Sequence, residues 1–226
     1  MFCDIVNHRT KADLTISIAV QLFGRGSHLG VAFNRATLTH VGHLAGDLDI
    51  KLDIPSGTES HPWWCSEVEY YHENDPLRMK RRAHTALIDL ICRSNQSSIP
   101  YCTVYNGAYF SPEAKIQYIN HESGLTCATF VLAIFKTLQI DLVDFQTWEP
   151  RQSDDIWRDA IGPHLPLRNI NAESGNRRFR PEEVFVSSIN PHCMVEFRKC
   201  EMAGIELMKF YLTPNDAYED IRRIIL

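Results

Sequence analysis

Nowhere in this chain does an apolar run approach the ~18 residues needed to cross a bilayer, so no membrane-spanning helix is expected. The opening residues, MFCDIVNHRTKADLT, hold no apolar segment of signal-peptide type. Glycine-rich phosphate loops are missing too: GRGSHLG is a short turn between strand-like runs, with no helix behind it. There is no C-x-x-C and no H-E-x-x-H, which removes the common zinc frameworks. Positive charge is not in excess. The net charge of -5 supplies no general attraction to nucleic acid or anionic lipid. Two basic clusters, Arg78 to Arg82 and Arg177 to Arg180, read as a solvated helix face and a loop. Repeats, low-complexity tracts and linkers are absent as well.

What is present suits one compact unit. With 226 residues, 44% of them hydrophobic, the chain can bury the core of a single domain. The expectation is one α+β domain over 1–226, with a C-terminal elaboration from about 150 to 226. Seven scattered cysteines, an odd number, form no disulfide framework and point to free thiols in a reducing, cytoplasmic setting.

Residues 13–23 (DLTISIAVQLF) are β-branched and apolar, a largely buried strand. From His28 to Phe33 the chain alternates: Leu29, Val31 and Phe33 on one face, His28, Gly30 and Ala32 on the other. NRAT is a turn, LTHVGHLAG the returning strand, and DLDIKLDIP a third, half-exposed strand ending at Pro55. Asp47, Asp49 and Asp53 read as its solvent side. SGTESHPWWCSE reads as a loop whose Trp63 and Trp64 are core or a substrate wall. A helix is predicted over 76–93, with Asp75 as cap, Pro76 at its first position, and Leu87, Ile88 and Ile91 on its buried face. SNQSSIPYCTVYNGAYFSP is irregular. A second helix follows over 125–139, with Leu125, Phe130, Val131, Ile134, Phe135 and Leu138 as its stripe. SDDIWRDAIG and DAYEDIRRIIL read as further short helices.

Cys127 lies in the first turn of that second helix, where unpaired N–H groups and the helix dipole favour a thiolate. The same position continues the apolar stripe, so an inert core cysteine is the competing interpretation. His28 shares its face with Gly30 and Ala32 only, leaving room for the cysteine helix to approach and the imidazole to serve as base. A three-residue turn at Asn34–Arg35–Ala36 places His40 on the face of His28, as the residue that orients it. His43 then faces away; a bulge or a different turn exchanges the two.

The run HLGVAFNRATLTH, with GLTCATFV much later, resembles the permuted papain-like superfamily. That group comprises lecithin:retinol acyltransferase-like proteins and circularly permuted NlpC-type hydrolases. The matching segments cover about thirty residues. The resemblance implies an antiparallel sheet packed against the cysteine helix, with Cys127, His28 and His40 as nucleophile, base and orienting residue. TCATF replaces the Asn-Cys-Glu-His-Phe type of pattern common among the acyltransferase-like members.

The expected activity is thiol hydrolysis of an amide, peptide or isopeptide bond through a thioester, without cofactor or metal. Tyr101 or Tyr105 would add a hydroxyl to the oxyanion site. Acyl transfer or lipid-ester cleavage at the same site is the alternative enzyme, with Trp63, Trp64, Tyr109 and Phe110 as an acyl groove. A binding module with an inert Cys127 is the non-enzyme alternative. The partner is a peptide, protein tail or acyl substrate, with no nucleic acid and no integral membrane association. A metal at His40-x-x-His43 lacks further ligands, and His192, Cys193 and Cys200 do not supply them. Alkylation of the purified chain across pH should find one fast cysteine, Cys127; uniformly slow thiols would identify the binding module.

Overall fold

The computed structural model describes residues 3–4, 16–23, 26–35, 38–45, 49–56, 63–68, 77–94, 99–102, 105, 107–118 and 124–143, with Pro181 and Val184. The expected C-terminal elaboration and its helices otherwise lie outside the described residues. The structure is mixed α and β. Six antiparallel strands form one sheet in the order β1-β6-β2-β3-β4-β5: β1 Cys3–Asp4, β2 Ile16–Phe23, β3 Gly26–Arg35, β4 Leu38–Leu44, β5 Ile50–Asp53 and β6 Trp63–Glu67. Helix α1, Leu77–Arg93, precedes a small ladder of β7, Tyr109–Phe110, and β8, Ile116–Gln117. Helix α2 is Cys127–Thr137.

Strand alternation divides the sheet into two unlike faces. Ile16, Ile18 and Val20 of β2 stand opposite Phe33, Val31 and Leu29 of β3 on one face, all fully buried. They join Ile88, Ile91 and Cys92 of α1 and Phe130, Val131, Ile134 and Phe135 of α2 in the main core. Each such large side chain stabilises the fold by about 1.5–3 kcal/mol relative to exposure. The opposite face carries small and polar residues, with a separate cluster of Ala19, Ala32, Val41, Trp63 and Cys65.

The segment read as a loop, SGTESHPWWCSE, contributes strand β6. Trp63 and Cys65 belong to the small-residue face, while Trp64 packs against the main core. Apolar residues on both faces erase the period-two signal that marks a half-exposed strand, and the turn formers before it dominate the pattern.

Helix α1 docks where the sheet has no side chain. A Cβ on Gly42 of β4 would run into Sγ of Cys92, and would stand 3.4 Å from its Cβ. Burial pushes the Cys92 thiol up to about 12, with the Asp89 carboxylate adding to it, so this is a core sulfur. Asp89 pairs with Arg93 at 2.7 Å and Arg35 of β3 at 3.6 Å, pinning the helix to the sheet. At the end of α2, Gln139 (φ 58°) takes the left-handed conformation usually given to glycine, its N–H donating to the Lys136 carbonyl and that of Ile140 to the Phe135 carbonyl.

Gly42→Ala should destabilise the fold by about 1–3 kcal/mol, because neither helix nor strand can yield without repacking. Cys92→Ala in the same chain should recover part of that loss in denaturant unfolding. Additive losses would show that the two residues are not in contact.

Candidate active site

The register of β3 against β4 decides which histidines meet. Gly30 is opposite His43, Phe33 opposite His40 and Arg35 opposite Leu38. Two residues therefore separate the paired ends, where the expectation placed a three-residue turn further back. Even-numbered residues of β3 now share a face with odd-numbered residues of β4. His43, not His40, stands on the face of His28, which corrects the expected site.

His28 Nε2 lies 2.7 Å from His43 Nδ1, and His43 Nε2 lies 2.9 Å from Asp53 Oδ2. The chain runs diagonally over three strands. His43 is paired with Gly30 and Lys51, and each of its partners lies two residues along its own strand from the directly opposed position. Gly30 makes the approach possible: a Cβ there would sit 2.7 Å from Val41 Cγ1 and 3.2 Å from His43 Cβ. The imidazole rings meet edge to face, centroids 4.8 Å apart.

Asp53 was read as a solvent-facing strand residue. Half of it is, with its side chain 52% exposed, but its Oδ2 holds a His43 ring that is 10% exposed. Alternation alone does contain the signal: Val41 pairs with Asp53 and His43 with Lys51, so Asp53 and His43 share a face.

The hydrogen-bond directions follow from what a carboxylate can do. It only accepts, so His43 Nε2–H donates to Asp53. With His43 neutral, its Nδ1 accepts from His28 Nε2–H, which leaves His28 Nδ1 bare and available as a base. A proton on His43 Nδ1 reverses the His–His bond and moves the hydrogen of a neutral His28 to Nδ1, abolishing the base. His28 is itself held neutral: burial lowers it from the ordinary 6.5 to about 4, the His43 ring adds to this, and Asp53 opposes it.

His40 occupies the other face. Its ring stacks on Phe33, centroids 6.0 Å apart, in the contact between sheet and α1. Its basicity is lowered by burial and then by Arg35, against the attraction of Asp89. Its Nδ1 has no hydrogen-bond partner among the described residues.

Cys127 opens α2 as expected. Thr126 caps the helix: its side chain accepts from the Thr129 N–H at 3.1 Å, and its own N–H donates to Thr129 Oγ1 at 2.7 Å. The thiol is half-buried and packs against the main core, whereas Cys65, Cys92 and Cys102 are buried. The expected seating of α2 on the Gly30–Ala32 face is corrected: the apolar side chains of α2 enter the core on the Leu29–Val31–Phe33 face. The imidazole pair meets Asp53 and Trp63 on its own face of the sheet. The small residue ahead of the cysteine is likewise occupied, because a Cβ on Gly124 would collide with the Pro100 carbonyl.

Tyr105 does not serve as an oxyanion donor here. Its hydroxyl donates to the Ala108 carbonyl at 2.9 Å, and burial, followed by Asp141, raises its pKa. Tyr101 is half-buried in the segment before α2. Of the four aromatics read as an acyl groove, Trp63 and Phe110 are buried, Trp64 is half-buried and Tyr109 is exposed. Among the described residues no group of three or more His, Cys, Asp or Glu side chains is placed to hold a metal ion, and no helix is long and apolar enough to cross a membrane.

Comparison of the chain with known protein families, curated proteins and solved structures finds no match.

The lowered His28 makes a pH prediction with a definite sign. Above about pH 6.5 the residue is neutral in both folded and unfolded chains. As pH falls from 6.5 to about 4 only the unfolded chain takes the proton, so stability is lost through this window and the loss levels off below it. The full effect is about 3 kcal/mol. His40 and His84 shift in the same direction, so denaturant unfolding of His28→Gln beside the native chain isolates the His28 share. Identical pH slopes in the two proteins would contradict the buried, neutral His28.

Proposed function

We propose that this chain is a cysteine-dependent hydrolase of amide or peptide bonds, built on a permuted papain-like arrangement. Cys127 is the nucleophile, His28 the base, and His43 and Asp53 the residues that orient it. The observation that carries the reading is the Asp53–His43–His28 chain, a carboxylate and two imidazoles in series ending at a neutral base. Such a series costs buried polar surface and contributes little to stability that an apolar face would not. Acid–base work accounts for it.

In the proposed reaction Cys127 Sγ bonds the substrate carbonyl carbon while its proton passes to His28 Nδ1. N–H groups in the first turn of α2 receive the oxyanion. Collapse of the tetrahedral adduct breaks the C–N bond, and His28 gives the proton to the departing amine. Water then attacks the thioester, surrendering a proton to His28, and the acid leaves as the thiol is regenerated. The proposed step requires His28 and Cys127 to come within hydrogen-bond reach, while the apolar side chains of α2 pack on the sheet face opposite His28, so the acylation variants below decide between one site and two.

Single-turnover acylation with an activated acyl ester tests the reading. Cys127→Ala should abolish acylation. His28→Ala should slow it by about 10²–10⁴-fold, and adding His43→Ala to it should cost little more, since members of one unit are not additive. Asp53→Asn should fall between the single variants and the native chain, and His40→Ala should stay within a few-fold of native. Undiminished acylation of Cys127 in His28→Ala would show that the thiol and the imidazole chain are not one site.

A further inference from the structure

We infer that Trp63 is a positioning residue for the imidazole pair, holding both rings in their mutual geometry and keeping water from the hydrogen bond between them. Trp63 comes from β6, two strands from β3, in the row where it faces Gln21 and Gln21 faces His28. Its ring centroid is 5.8 Å from that of His28 and 5.4 Å from that of His43, tilted 50° and 52° to them. One indole therefore touches both members of the pair at nearly equal distance and angle. Trp63 is only 3% exposed, while His43 is buried and His28 half-buried. Along this face Ala19, Gly30 and Ala32 are small, and the half-buried Gln21 stands in the row between Trp63 and His28.

This geometry has two opposing effects on a proton. Excluding water disfavours the charged imidazole, which agrees with the lowered basicity of His28. The indole π-face, in reach of both rings, attracts an imidazolium when one forms. At rest the first effect dominates. During proton transfer the second offsets part of it, without any movement of the protein. His43 is fixed by hydrogen bonds at both ring nitrogens, whereas His28 is bonded to it through Nε2, and the indole gives the His28 ring a further contact against turning about its Cβ–Cγ bond.

The inference deepens the proposed relay, but its test reads the imidazoles directly and does not depend on turnover. Trp63→Phe and Trp63→Leu are made in the full chain carrying Cys127→Ala, and the histidines are followed by ¹⁵N–¹H NMR through a pH titration. Phe keeps a ring in the same place and should leave the His28 titration near that of the native tryptophan. Leu, apolar but without a ring, should move the His28 titration upward by a unit or more, a tenfold change in its acid constant. Leu should also broaden the slowly exchanging N–H signal of the His28–His43 bond. A Leu variant with native titration and native N–H signal would overturn the inference. Should the Leu variant not fold, the Cys127→Ala chain with Trp63 intact decides the matter. It must show that N–H signal at neutral pH with cross-relaxation to the indole protons, and a missing signal or missing cross-peak overturns the inference. Retained acylation in Cys127→Ala bears on the hydrolase reading alone, so the two failures remain distinct.

Discussion

The pairing of Gly30 with His43 is the constraint on which the candidate site rests. Side chains alternate along a strand, so the register of one hairpin assigns every residue of β4 to a face at once. In the observed register His43 and Val41 join His28, Gly30 and Ala32, while His40 and Gly42 join Val31 and Phe33. One residue of slip would exchange the histidines and send Val41 to the opposite face. The hydrophobic pattern resists that slip, because Val41 is fully buried among Ala19, Ala32 and Trp63. Packing therefore selects which imidazole stands beside His28.

The two faces of the sheet divide the labour. Large aliphatic and aromatic residues on one face bind both helices and supply most of the apolar burial. The other face is made of glycine, alanine, serine and valine around a tryptophan, and there polar side chains reach each other across strands. Glycine takes part on both sides: Gly42 admits the sulfur of α1, and Gly30 admits the body of His43. Each is a position where the absence of a side chain sets a distance between two other groups.

The parts of the fold that depend on local periodicity were legible. Strands β2 to β5 and both helices lie where alternation, capping and apolar stripes put them, with ends moved by a few residues. Cys127 was legible as a first-turn residue because the apolar stripe of the helix begins beside it, and Thr126 does cap the helix. Strand β6 was not, since its apolar residues face both ways and leave no period. The partner of His28 was misread for a narrower reason: hairpin register depends on the length of the turn, and NRAT is compatible with more than one. Asp53 was overlooked because a half-exposed carboxylate on a charged strand resembles its neighbours until the strand is paired. The meeting of Trp63 with the histidines joins β6 to β3 across β2, and no local pattern encodes that contact.

The half-exposed position of Asp53 gives the His28–His43 pair a direction. Both ring nitrogens of His43 are engaged, one toward a half-buried imidazole and the other toward a carboxylate that touches water. A proton accepted at one nitrogen of an imidazole can be matched by one released from the other, with no atom heavier than hydrogen changing place. The two hydrogen bonds in series thus tie a half-buried imidazole to a carboxylate at the solvent, with the indole against both rings.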